Sequence, residues 1–146
     1  MFKSKNYRIN IDIDEKLNLI TYPSAWNQIL TNLMVNSHLH GFENSREGDM
    51  SISFTYDNGY LTLLYQDNGK GISDEVKHKV FEPFITTKRG QGGSGLGLNI
   101  VFNLVDAKLG GTVKSLDVEQ GVCFQVKVPI HSKVPLKKEA ASIRLV

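Results

Sequence analysis

The sequence predicts an α+β protein in two layers, with one mixed or antiparallel sheet and helices packed on one face. Three observations carry this. Residues 7–13 and 50–56 alternate apolar and polar side chains, as half-buried strands do. Residues 23–40 and 95–109 instead repeat apolar side chains every three or four positions, as amphipathic helices do. The order is strand pair, helix, strand pair, helices, strand pair, which is not the strict β-α alternation of a parallel sheet.

Taken in order, Tyr7 to Ile13 is a strand with Ile9, Ile11 and Ile13 on one face. Leu17 to Tyr22 is a second, after the polar turn Asp14-Glu15-Lys16. Pro23 and Ser24 open a helix, Pro suiting the first turn and Ser able to cap it. Its stripe is Trp26, Ile29, Leu30, Leu33, Met34 and Ser37, and it stops at Gly41. Met50 to Tyr56 and Tyr60 to Tyr65 form a hairpin through Asp57-Asn58-Gly59, where Asn and Gly tolerate positive φ. Ser73-Asp74-Glu75 starts a short helix ending near Phe81. Glu82 to Gly95 has no period and is expected to be a mobile loop. A long helix runs from Gly95 to Leu109 and closes at Gly110-Gly111; strands Thr112 to Leu116 and Val122 to Val128 complete the fold. Residues 1–130 are thus one domain, and the Lys-rich tail 131–146 is expected to hold little structure.

Composition narrows the function. With 40% hydrophobic and 22% charged residues, the 146-residue chain is an ordinary globular one. A net charge of +2, with Lys and Arg scattered, argues against a nucleic-acid partner. The single cysteine, Cys123, excludes an internal disulfide and reads as an inert buried thiol in a reducing cytoplasm. No apolar run approaches the roughly 18 residues that span a bilayer.

Four clusters have the residue types of a binding site. On the first helix, Asn32, Asn36 and His40 share one edge of the apolar stripe, where an amide oxygen suits a hard cation such as Mg²⁺. Two solvent-facing or capping asparagines are the alternative. Asp67-Asn68-Gly69-Lys70-Gly71 follows an apolar strand. It is either common turn chemistry or a carboxylate that accepts an exocyclic amine, with glycines letting a flat ring approach. Phe81 to Arg89 brackets Pro83 with aromatics and adds two hydroxyls and two cations, an anchored loop with phosphate ligands or a hydrophobic corner beside a solvated basic pair. Gly90 to Leu98 puts glycines ahead of a helix, an anion site by its exposed N–H groups and dipole. It has no Gly-Lys-Ser/Thr and is not the dinucleotide fingerprint, because no strand immediately precedes it.

In this order the clusters resemble the N, G1, F and G2 boxes of the histidine kinase branch of the GHKL ATP-binding superfamily, over roughly residues 7–130. The resemblance implies a Bergerat-type sandwich that binds Mg-ATP between the first helix and a flexible lid. Asn36 would coordinate Mg²⁺, and Asn32 and His40 would support the phosphates. Asp67 would bind the adenine amine, with Gly69, Gly71 and Ile72 shaping the base pocket. Residues Thr86 to Ser94 would form the lid, with Thr87 and Lys88 near the phosphates. Gly93, Ser94, Gly95, Leu96, Gly97 and Leu98 would line the phosphate end. Superfamily members that hydrolyse ATP carry Glu where Asn32 stands; an amide cannot take a proton from water, so Asn32 favours transfer to an incoming imidazole. A serine kinase of the anti-sigma type and a non-catalytic nucleotide sensor are the alternatives within this fold.

Two positions depart from the pattern. Leu39 stands where a basic residue is usual, and Gly121-Val122 replaces a usual Gly-Thr. None of His38, His40, His78 and His131 has the setting of a phospho-acceptor, a long helix with an acidic residue next. The resemblance therefore implies partners: a dimerisation and phospho-acceptor domain ahead of residue 1, a response regulator receiver domain downstream, and a homodimeric parent. The chain would be its cytoplasmic part, with the parent anchored in the plasma membrane.

Overall fold

The computed structural model describes residues 5–77, 79–81, 97–130 and 141–144. A five-stranded mixed sheet has the order β1-β3-β4-β6-β5, built from β1 (Asn6–Ile13), β3 (Glu47–Asp57), β4 (Tyr60–Asp67), β5 (Thr112–Leu116) and β6 (Cys123–Pro129). β1 runs parallel to β3 and the remaining pairs are antiparallel. Helices α1 (Pro23–Asn36) and α3 (Gly97–Asn103) lie side by side, and α2 (Asp74–Lys77) is a single turn. This is the α+β class expected.

The β3–β4 hairpin closes through Asn58 (φ 52°) and Gly59 (φ 83°), a two-residue turn with both centres left-handed. Its register sets Ile52 beside Tyr65 and Phe54 beside Leu63, and β6 continues the rows with Phe124 and Val126. These side chains are buried on one face, where Trp26, Ile29, Leu33, Val101 and Val105 from the helices meet them. Each such burial contributes roughly 1.5–3 kcal/mol. The Trp26 ring stands edge-on to Phe54, and its Nε1–H donates to the buried Thr21 Oγ1 at 3.0 Å. Cys123 is buried and burial pushes its thiol up, as an inert packing residue requires.

Helix ends differ from the sequence reading in three ways. Ser24 does not cap α1: the N-cap is Tyr22, no side chain caps it, and Pro23 at the first position removes one orphan N–H. The stretch expected to stay α-helical to His40 widens into a π-turn at Ser37–Gly41, with Phe42 N–H on the Ser37 carbonyl at 2.8 Å. A second π-turn, Leu104–Lys108, ends the α3 stretch. Gly110 (φ 67°) then reverses the chain as expected.

β2 (Asn18–Thr21) stands outside the large sheet and pairs antiparallel with β7 (Ala141–Arg144). The tail from residue 131, expected to hold little structure, thus supplies a strand. The backbone groups of β2 need partners, and β7 provides them.

Candidate functional site

Three pieces of chain converge at the end of β4: the π-turn after α1, the turn after Asp67, and the start of β6. Asp67 is 3% exposed, and a carboxylate so placed requires donors. Its Oδ1 accepts the N–H of Gly69 at 3.0 Å and of Val122 at 3.2 Å, while Oδ2 accepts the Ser37 hydroxyl at 2.6 Å. Tyr65, wholly buried, lies 2.6 Å from the same serine oxygen. Because the serine proton is given to Asp67, Tyr65 donates to Ser37. Burial above all, and then the Asp67 charge, push the Tyr65 phenol well above its usual value, against the opposite pull of its bond to Ser37. Two carboxylate oxygens offer about four lone-pair directions, and donors among the described residues fill three of them.

Glycine is required around this carboxylate by the protein's own main chain. A Cβ on Gly69 would lie 2.6 Å from the Gly41 carbonyl oxygen, and one on Gly121 (φ 78°) 1.9 Å from the Asp67 carbonyl oxygen. Gly71 (φ 80°) approaches the Gly121 carbonyl in the same way. The Gly41 carbonyl accepts Lys70 N–H at 3.0 Å, which closes the turn.

The asparagine edge lies beside this. Asn32 is half-buried, and its Nδ2 donates to the Gln28 carbonyl at 2.9 Å. Its Oδ1 lies 3.7 Å from where a Gly97 Cβ would stand, so the first helix meets the first residue of α3 there. Asn36, one turn on, and His40, in the π-turn, are also half-buried. Among the described residues no three His, Cys, Asp or Glu gather as a metal cage. A cation near Asn36 would thus take one amide oxygen, waters and ligand phosphates, a set that fits Mg²⁺.

Ile72 is half-buried against the core and Leu98 lies within it. Thr87, Lys88, Gly93, Ser94, Gly95 and Leu96 lie outside the described residues, as do His78 and His131. On either side of that segment, Asn99 Nδ2 donates to the Phe81 carbonyl at 3.0 Å, and the Phe81 ring stands edge-on to Phe124. A separate groove of about 740 Å³ opens beyond Gly41 and Gly69, between Tyr7, Glu43, Asp49 and Gln120. It shares Gly41 and the turn residues Asn68, Gly69 and Lys70 with the Asp67 site but not Asp67 itself, and the Lys70–Glu43 ion pair sits in it.

The sequence reading did not assign Ser37, Tyr65, Gly41, Gly121 or the Val122 amide to the site. Ser37 carried a signal, as the polar member of an apolar stripe. Val122, noted for lacking a hydroxyl, contributes its backbone N–H instead.

Residues 21–132 match the family described as histidine kinase-, DNA gyrase B- and HSP90-like ATPases. The autoinducer 2 sensor kinase/phosphatase LuxQ of Vibrio parahaemolyticus is 33% identical over 138 residues, 86% of this chain and 15% of that protein. The sensor protein CiaH of Streptococcus pneumoniae is 38% identical over 125 residues, 82% of this chain and 27% of that protein. The chain thus spans under a third of these relatives. The solved catalytic domain of histidine kinase ThkA superimposes with a TM-score of 0.73 at 27% identity, covering 84% of this chain and 78% of that one. With the buried carboxylate, its glycine surround and the asparagine edge in place, the chain belongs to the histidine kinase-, DNA gyrase B- and HSP90-like ATPase family, and within it is similar to the catalytic domains of sensor histidine kinases.

Proposed function

We propose that the chain binds Mg-ATP and presents the γ-phosphoryl to a histidine on a dimerisation domain of a longer sensor kinase. The observation that carries this reading is Asp67, a buried carboxylate with three donors among the described residues and a capacity for about four. That is the acceptor an adenine amine needs. Asn36 supplies an oxygen to Mg²⁺, and Asn32 steadies phosphate oxygens beside the start of α3. Asn32 is no base and does not activate water, so ATP waits for an imidazole nucleophile, which needs no deprotonation. The rate then rests on positioning and charge neutralisation.

The acceptor helices, a receiver domain that takes the phosphoryl onward, and a homodimeric parent at the cytoplasmic face of a plasma membrane complete this reading. Among the described residues no helix is long and apolar enough to cross a membrane. The test is to mix the chain with the dimerisation domain of its parent and Mg-ATP. Acid-labile, alkali-stable phosphohistidine on that domain is the expected product. ATP binding without any phosphohistidine would reduce the chain to a nucleotide sensor.

A further inference from the structure

We propose that Ser37 and Tyr65 are positioning residues that set the selectivity of the site, favouring a base with an N–H donor over one with a carbonyl at the same place. The inference rests on the reading of Asp67 as the base-recognising group.

Two of the three donors on Asp67 are backbone amides, which trimming a side chain does not remove. Among the described residues Ser37 is the side-chain donor to that carboxylate, and it holds Oδ2 where the amides hold Oδ1. A lone serine hydroxyl can turn and accept instead of donate. Here the carboxylate can only accept, so Ser37 donates to it, and the Tyr65 hydroxyl, 2.6 Å away, is left to donate to the serine oxygen. Both residues have no exposed surface, so water does not substitute for either. An ionised carboxylate only accepts, so the run has one direction, Tyr65 to Ser37 to Asp67, and Ser37 fixes where Oδ2 lies and which of its lone pairs is left over. An amine N–H meets that remaining lone pair favourably; a ring carbonyl meets it lone pair to lone pair.

Ser37 also sits directly after Asn36, as the first residue of the π-turn. The residue that orients the base-reading carboxylate is thus the chain neighbour of the amide assigned to the metal.

The experiment compares three nucleotides by calorimetry: ATP, inosine triphosphate with a carbonyl in place of the amine, and purine riboside triphosphate with neither. They are titrated into the intact chain, Ser37→Ala and Tyr65→Phe, each checked for folding by circular dichroism. The intact chain is expected to prefer ATP over inosine triphosphate by ten- to hundredfold, since hydrogen bonds to charged groups contribute roughly that factor. Ser37→Ala should shrink the preference by about tenfold and Tyr65→Phe by about threefold, the purine riboside triphosphate affinity staying the same. A purely structural role would weaken all three nucleotides alike, and an unchanged ATP preference in both variants would overturn the proposal. If Ser37→Ala does not fold, Tyr65→Phe, which keeps its ring, decides alone. An intact chain that binds ATP without preference would sink the reading of Asp67 itself, and the present inference with it.

Discussion

Asp67 and Val122 are bonded to each other twice: the Asp67 N–H donates to the Val122 carbonyl at 3.1 Å, and the Val122 N–H donates to Asp67 Oδ1 at 3.2 Å. The backbone ladder between β4 and β6 thus passes into a side chain at its last rung. The carboxylate is fixed by the sheet itself.

Asp67→Asn tests that arrangement. The amide oxygen can keep the Gly69 and Val122 N–H groups, so the fold should persist. Its Nδ2, however, turns a donor toward the Ser37 hydroxyl and toward an incoming amine. ATP affinity should fall by at least tenfold, about the worth of one charge-assisted bond. Unchanged affinity by calorimetry would remove Asp67 from base recognition.

Gly121→Ala adds one methyl where φ is 78° and the Asp67 carbonyl oxygen would stand 1.9 Å away. It should cost more than the roughly 1 kcal/mol of an ordinary left-handed glycine. Gly59→Ala is the control, since φ is 83° there but nothing lies within 4 Å. Thermal denaturation should rank Gly121→Ala well below Gly59→Ala, and equal melting temperatures would contradict the packing described.

Thr21→Val is nearly isosteric but leaves the buried indole N–H of Trp26 without its acceptor. Stability should drop by about 1–3 kcal/mol. Urea unfolding of Thr21→Ser, which retains the hydroxyl, separates this from lost methyl packing.

Stability should fall in alkali because of Tyr65. Its phenol stays protonated in the folded chain above the usual tyrosine value of 10.0, whereas in the unfolded chain it ionises there. Above that pH the unfolded state binds fewer protons, so folding stability declines as pH rises and is intact below it. Tyr65→Phe should flatten the decline between pH 10 and 12, measured by urea titration at each pH. The same slope in the variant would assign the loss to other groups.

Asn36→Ala should bring ATP binding measured with Mg²⁺ down to the level measured in a chelator, while leaving the chelator value in place. A variant with full Mg²⁺ dependence would show that the metal is held elsewhere.

Much of this was legible because strands and helices write different periods. Asn58-Gly59 announced its hairpin, and the stripe from Trp26 to Leu33 announced the buried face of α1. Asp67 was visible as a carboxylate closing an apolar strand. What sequence did not carry was proximity: Ser37, Tyr65 and Val122 are 30, 2 and 55 residues from Asp67 along the chain, the short step being across one strand and the long ones across the fold. Nor could periodicity distinguish an α- from a π-turn at Ser37–Gly41, since one extra residue per turn shifts the stripe too little over five residues. The pairing of β7 with β2 was hidden because a four-residue strand leaves almost no pattern.

The floor under Asp67 is peptide group set against peptide group, at Gly41 with Gly69 and at Gly71 with Gly121. A survey that trims each side chain to alanine would pass over it, for nothing there can be trimmed. Leu33 and Leu63, in the core, fail by shrinking; these four positions fail by growing. A map of tolerated substitutions would therefore change sign across a few ångströms, and the place where it does so would trace the outline of the Asp67 site.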